Sequence, residues 1–360
     1  MSDKPNLFII YCQLMKLRVV ILLQITAICA ILGHDLMVRS GELEGHRTWY
    51  DTIYACAITL AGGTLAAGGA NAINMVWDRD IDPGMSRTRS RPIPKGWISP
   101  RHATFFGIFT SIGGSALFLD IHWKAAFWSI FSVIYYVFVY TIWLKRITPQ
   151  NIVIGGVAGS TPPLIGWICA SASTDYFPSD LNPLNLGSPI PWMLFLLIFL
   201  WTPPHFWALA LYRSGEYAKV GIPMMPDVKG SERTLKESKF YCFLLLMLGS
   251  VPCFWPQAGL PLSWAFVAGA LTLWYSISVF AIDSEEQLDS DGRMPKAFSS
   301  FMRSLGYLAW MFVTFVYIVA VPQDQVWIWA SALLVIIPLT NHGMLLWKKS
   351  MSEKKLLNAE

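Results

Sequence analysis

The stretch Asn71–Pro94, NAINMVWDRDIDPGMSRTRSRPIP, joins a long apolar run to a loop dense in arginine. Asn74, Asp78 and Asp82 stand at i, i+4 and i+8. On an α-helix each step of four drifts by only about 40°, so this spacing predicts three oxygen-bearing side chains on one face. Pro83 lacks an amide hydrogen and clashes with the preceding turn, so the helix is expected to stop there. Arg87, Arg89 and Arg91 follow. Oxygen-only ligands suit Mg²⁺, which commonly bridges a few carboxylates to substrate phosphates. Arginines suit the phosphate oxygens themselves. The alternative is a solvated helix end of mixed charge. The apolar run ahead of Asn74 weighs against it, because carboxylates at the mouth of a membrane span are costly and usually functional.

Working outward, the 360 residues are 54% hydrophobic and 14% charged. An ordinary soluble domain is about 25% charged, so the composition points to a polytopic membrane protein with no room for a large soluble domain. The many Trp, Tyr and Phe fit aromatic belts at the headgroups. No cleavable signal peptide is evident near Lys16 and Arg18. The six cysteines form no CxxC pair and read as small buried hydrophobes. There is no sequence repeat, low-complexity tract or nucleic-acid motif.

Ten apolar runs approach the roughly 20 residues a bilayer core demands. They cover about 18–36, 53–76, 102–121, 125–143, 150–171, 191–212, 240–258, 261–282, 304–322 and 326–347. Threading the chain through them puts 24 of the 27 Lys and Arg on one side and leaves Arg39, Arg47 and Lys124 on the other. The positive-inside rule then places both termini in the cytoplasm. It also brings the loops after spans two and six to the same face, so Asp82 and the segment Tyr212–Tyr217 open together.

Further stretches carry candidate chemistry. Lys145 and Arg146 close span four, as phosphate ligands or as ordinary positive anchors. Gly155, Gly156 and Gly159 permit close helix packing, and Pro162-Pro163 is expected to break span five. Pro203-Pro204 is expected to interrupt span six and leave His205 in the break, facing substrate or holding a structural hydrogen bond. Glu216, near Arg213, is the candidate for a second acidic site, with a plain loop carboxylate as its alternative. The other histidines form no ligand spacing. A metal–diphosphate site above an apolar, aromatic interior suits a substrate with an anionic head and a hydrocarbon tail, such as a prenyl diphosphate. Broken spans with a central His are also transporter features, but the charges gather at one face rather than at the midplane.

These motifs closely resemble the UbiA superfamily of intramembrane prenyltransferases. The N-x-x-x-D-x-x-x-D string Asn74, Asp78, Asp82 carries the superfamily resemblance. The longer DRDIDPGMSRTRSRPIPKGWISP is similar to the branch of protoheme IX farnesyltransferases, the heme O synthases. Tyr140–Arg146 with Thr148-Pro149, Asn151–Gly156 with Pro162–Trp167, and Pro204-His205-Phe206 with Gly221–Pro226 support that branch, from about Leu14 to Thr234. The resemblance implies an all-α UbiA-like bundle of nine to ten transmembrane helices around a central cavity open to the cytoplasm, as one domain with its core over 14–322. It implies transfer of the farnesyl group of farnesyl diphosphate to a vinyl group of heme B, with addition of water, giving heme O and diphosphate. Another acceptor, of 4-hydroxybenzoate or chlorophyllide type, is the alternative. Asn74, Asp78 and Asp82 would hold Mg²⁺. Arg87, Arg91, Lys145 and Arg146 would contact the diphosphate, and Glu216, Arg213, His205 and Tyr140 would lie toward the heme or second acidic site. Heme A synthase or heme-copper oxidase assembly would consume the product. Two departures stand out. The family's T-K-P-R reads Met15-Lys16-Leu17-Arg18, and the second D-x-x-x-D motif is replaced by Glu216-Tyr217.

Overall fold

The computed structural model describes residues 4–289, 293–322 and 325. Its elements are helical throughout. A short helix α1 (Leu7–Leu14), capped by Asn6, precedes α2 (Leu17–Ser40), α3 (Trp49–Trp77), α4 (Pro100–Leu117) and α5 (Trp123–Ile134). The fifth continues as a π-helical segment, Tyr135–Trp143. Then come α6 (Asn151–Ser160), α7 (Pro162–Ser171), α8 (Ile190–Tyr212), α9 (Met225–Lys229), α10 (Ser231–Gly249), α11 (Val251–Phe254), α12 (Leu262–Phe280) and α13 (Pro295–Ala320). Among the described residues eight helical stretches are long and apolar enough to cross a membrane. The predicted run 326–347 lies outside the described residues.

The predicted run 240–258 differs from the structure. Its helix, α10, starts earlier and ends at Gly249. The first half carries Glu232, Arg233, Lys236, Glu237 and Lys239, supported by i,i+4 pairs that apolar counting overlooks. α10 packs between α8 and α12 and so belongs to the bundle.

The two proline pairs behave differently. Pro162-Pro163 splits span five, as expected. The Ala158 carbonyl that Pro162 cannot serve instead accepts from Ser132 Oγ at 3.1 Å and Thr161 Oγ1 at 3.0 Å. The break expected at Pro203-Pro204 is absent, and α8 runs through both. Neighbouring helices can support prolines within a span. Here α13 grips α8 on either side of the pair, through Trp201 Nε1 to the Ser304 carbonyl and His205 to Ser304 Oγ.

α3 and α4 cross closely. A Cβ added to Gly69 would sit 2.5 Å from the Gly107 carbonyl, and one on Gly62 2.8 Å from that of Gly114. Two glycines seven residues apart on each helix thus let the backbones touch, which is how membrane helices associate without a hydrophobic drive. The apolar core of the other half joins α2, α8, α10, α12 and α13 around Trp201, Tyr275, Tyr307, Phe312 and Phe315.

The end of the bundle away from Asp78 is tied by buried charge. Asp35, wholly buried, accepts from Arg47 at 3.0 and 3.2 Å and from Thr52 at 2.6 Å. His34 bridges Asp35 at 2.8 Å and the Tyr176 hydroxyl at 2.6 Å. Lys124, also fully buried, donates to the carbonyls of Pro178 and Asn185 and to Asp180, pinning the loop before α8. The few bases at this end are therefore structural ties.

Candidate active site

α3 ends at Trp77, one turn sooner than its sequence suggests. Beyond it the chain tightens into 3₁₀ turns, Asp78–Asp80 and Asp82–Gly84. The Ile81 amide bonds the Asp78 carbonyl at 3.0 Å and the Met85 amide that of Asp82 at 3.3 Å. Pro83 supplies no amide for the carbonyl four residues back, so the α pattern cannot run through it. At about three residues per turn, a step of four carries Asp82 roughly 120° around from Asp78. The expected straight row of three oxygens is therefore corrected to a curved one. Asn74, Asp78 and Asp82 are nonetheless all buried, Asp78 to 1% exposure and Asp82 to 2%.

Each of the three meets its own base. Lys16 Nζ donates to Asn74 Oδ1 at 2.6 Å. Lys145 Nζ lies 2.5 Å from Asp78 Oδ2. Arg91 Nη1 bonds both oxygens of Asp82, at 2.8 and 2.9 Å. Buried carboxylates without partners would be costly, and pairing removes most of that cost. Burial, and then the charge of Arg91, pulls Lys16 well below the ordinary lysine range, while Asp78 pulls it back up; Lys145 and Arg87 add to the downward pull. These groups thus share one field. Thr88 Oγ1 ties the loop back to the Asp82 carbonyl at 2.9 Å, which holds Arg91 over the site.

The π-helical segment supplies the opposite wall. π turns widen a helix locally and recur at functional sites. Thr141 Oγ1 donates to the Tyr136 carbonyl at 2.8 Å and accepts from Asn74 Nδ2 at 3.1 Å. The Asn74 amide is thereby oriented, nitrogen to Thr141 and oxygen to Lys16. Tyr136 and Tyr140 stack with centroids 5.6 Å apart. Gly155 makes room for this pair, since a Cβ there would fall 2.3 Å from Tyr140 Cδ2.

The other candidates divide. Arg87 is exposed on the same loop. Glu216 joins Arg213 at 3.1 Å, Ser86 Oγ at 3.2 Å and Arg293 at 3.9 Å, so it links three loops at this end, as the shared face required. Arg146, expected at the diphosphate, instead grips Asp80 with two bonds of 2.7 Å and the Trp77 carbonyl at 3.1 Å. Its fork is matched by the neighbouring carboxylate, and it caps the helix end. His205, one of the side chains expected toward the heme, is corrected to its structural alternative. It bonds Ser304 Oγ at 2.5 Å and is stacked between Trp201 and Phe301. Lys16, Thr141 and Tyr136 were missed. By sequence Lys16 is one of the many cations on the basic side, and its place immediately before the first span is the only signal that sets it apart. No sequence signal marks a π turn.

Among the described residues no three His, Cys, Asp or Glu side chains form a ready-made metal cage. The donor set still fits a hard cation. Asp78 Oδ1 is buried and has no hydrogen-bond partner, and the Asp82 carboxylate and the Asn74 amide flank it in sequence. Mg²⁺ is usually held by one or two carboxylates with water and phosphate completing its shell, so such a site needs no third acid.

Comparison with known proteins bears on the family and the fold. Residues 44–302 match the UbiA prenyltransferase family. The chain is 38% identical over 305 residues to a protoheme IX farnesyltransferase of Bartonella tribocorum, spanning 84% of this chain and 88% of that one. A solved digeranylgeranylglyceryl phosphate synthase superposes with TM-score 0.65 at 17% identity, covering 87% of this chain and 98% of its own. A UbiA homologue from Archaeoglobus fulgidus, solved with DMAPP and Mg²⁺, gives TM-score 0.57 at 16% identity, covering 86% and 98%. The chain belongs to the UbiA prenyltransferase family.

Proposed function

We propose that this protein transfers the farnesyl group of farnesyl diphosphate to a vinyl group of heme B, with addition of water, giving heme O and diphosphate. The observation that carries the prenyl-transfer half is the buried set Asn74, Asp78 and Asp82, each beside a base, with Asp78 Oδ1 unpartnered. The acceptor is inferred from relatives bearing that name at 38% identity over most of the chain. Mg²⁺, as in the Archaeoglobus fulgidus homologue, would neutralise charge on the departing diphosphate.

The chain's own groups divide the work. Asn74, Asp78 and Asp82 would hold the ion. Lys145, Arg91 and the exposed Arg87 would take the phosphate oxygens, and their charge would favour the diphosphate as it leaves with the bonding electron pair. The stacked Tyr136 and Tyr140 would face the allylic carbon as its positive charge grows. Carbon–carbon bonding to the vinyl group then moves the charge to the acceptor, where water adds and a proton departs. The basic end of the bundle would face the cytoplasm, by the 24-to-3 division of Lys and Arg.

The test compares heme B with 4-hydroxybenzoate as acceptor for purified protein in nanodiscs. Farnesylation of heme B alone supports the assignment. Farnesylation of hydroxybenzoate alone would keep the site and replace the acceptor. Asp78→Asn and Asp82→Asn are both expected to abolish product while remaining folded, and full activity in both would sink the metal assignment.

A further inference from the structure

The turn between α1 and α2 contains a strained residue. Lys16, with φ 51° and ψ 50°, is the one non-glycine described residue in the left-handed region. Such a conformation is disfavoured for a side chain with Cβ and persists only when the surroundings impose it. Here α3 imposes it. Asn71 Nδ2 donates to the Met15 carbonyl at 3.1 Å. The Met15 side chain fills the hollow over Gly68, where a Cβ would lie 2.4 Å from its Cε. Asn71 and Gly68 stand three and six residues before Asn74, so the same stripe of α3 that carries the acidic site also fixes the turn. The outcome is that Lys16 Nζ reaches Asn74 Oδ1 at 2.6 Å. A lysine serving as a membrane anchor would extend to the headgroups.

We propose that Lys16 is a diphosphate-contacting cation of the site and the residue that positions the Asn74 amide. This rests on the diphosphate reading above. An ammonium carries three N–H donors. One is bonded to Asn74, next in the row to Asp78 with Lys145 and Asp82 with Arg91, which leaves two for phosphate oxygens held beside those bases. With the amide nitrogen held by Thr141, the Asn74 oxygen is aimed by Lys16 from one side and by the π turn from the other.

The experiment measures Mg²⁺-dependent binding of inorganic pyrophosphate by calorimetry, together with thermal unfolding, for the full chain and for K16M, K16G and K16R. K16G relieves the left-handed strain, so a purely conformational role predicts unchanged or higher stability with binding intact. The proposal predicts that K16M and K16G bind pyrophosphate at least about tenfold more weakly, as expected for a lost charge-assisted hydrogen bond, while still melting cooperatively. K16R should recover most of the affinity. Binding within twofold of the unaltered protein in both K16M and K16G would overturn the proposal and leave the diphosphate reading standing. No pyrophosphate binding by the unaltered protein would overturn both.

Discussion

Removing the ammonium of Lys145 should damage stability and activity in separable ways. Its Nζ lies 2.5 Å from Asp78 Oδ2, with the lysine side chain 14% exposed and the aspartate 2%. At an effective dielectric of about 20, charges that close attract by roughly 7 kcal/mol. Taking both groups out of water costs several kcal/mol each, so the pair nets little on its own. Lys145→Met leaves the Asp78 carboxylate buried with neither oxygen bonded to its base, and breaking a buried pair in this way costs about 3–5 kcal/mol. Asp78→Asn in the same chain removes the stranded charge and should recover most of that loss. Denaturant unfolding of both variants in a mild detergent reads the stability. Heme O formation reads the activity, which should stay absent in the stable double variant. If Lys145→Met unfolds at the same denaturant concentration as the unaltered protein, or if adding Asp78→Asn makes it worse, the pairing is wrong.

Other outcomes follow from the same contacts. Gly155→Ala puts a methyl 2.3 Å from Tyr140, so it should lower activity by displacing the tyrosine pair, with an overpacking cost of about 1–3 kcal/mol in the same unfolding assay. Asp35→Asn strands Arg47 at the far end of the bundle and should cost about 3–5 kcal/mol of stability while leaving the turnover of folded protein unchanged. Ser304→Ala removes the His205 partner and should lower the melting temperature without changing the affinity for heme B, measured by absorbance titration.

Much of the bundle was legible because lipid imposes simple rules. Apolar length located the spans, and the one-sided lysines and arginines placed Asp82 and Glu216 at the same end, where Ser86 and Glu216 indeed meet. Pro162 broke its helix because the freed Ala158 carbonyl had Ser132 and Thr161 to receive it. Pro203 and Pro204 did not, because α13 braces α8 at Ser304, a contact between residues 103 positions apart that no local pattern encodes. The α10 start was hidden by charges that pair along the helix. In the site, residue types and spacing identified Asn74, Asp78 and Asp82, but not their partners. Lys16 and Asn74 are 58 residues apart, and the approach depends on a left-handed turn held by Asn71 and Gly68. Arg146 looked equivalent to Lys145 until the end of α3 placed Asp80 within its reach.

Mass spectrometry of heme after incubating the purified protein in nanodiscs with heme B, farnesyl diphosphate and Mg²⁺ tests the central claim most directly. The account predicts heme O that disappears with EDTA and in Asp78→Asn. Heme O formed at an undiminished rate with EDTA present, or no heme O while diphosphate is still released, would contradict it.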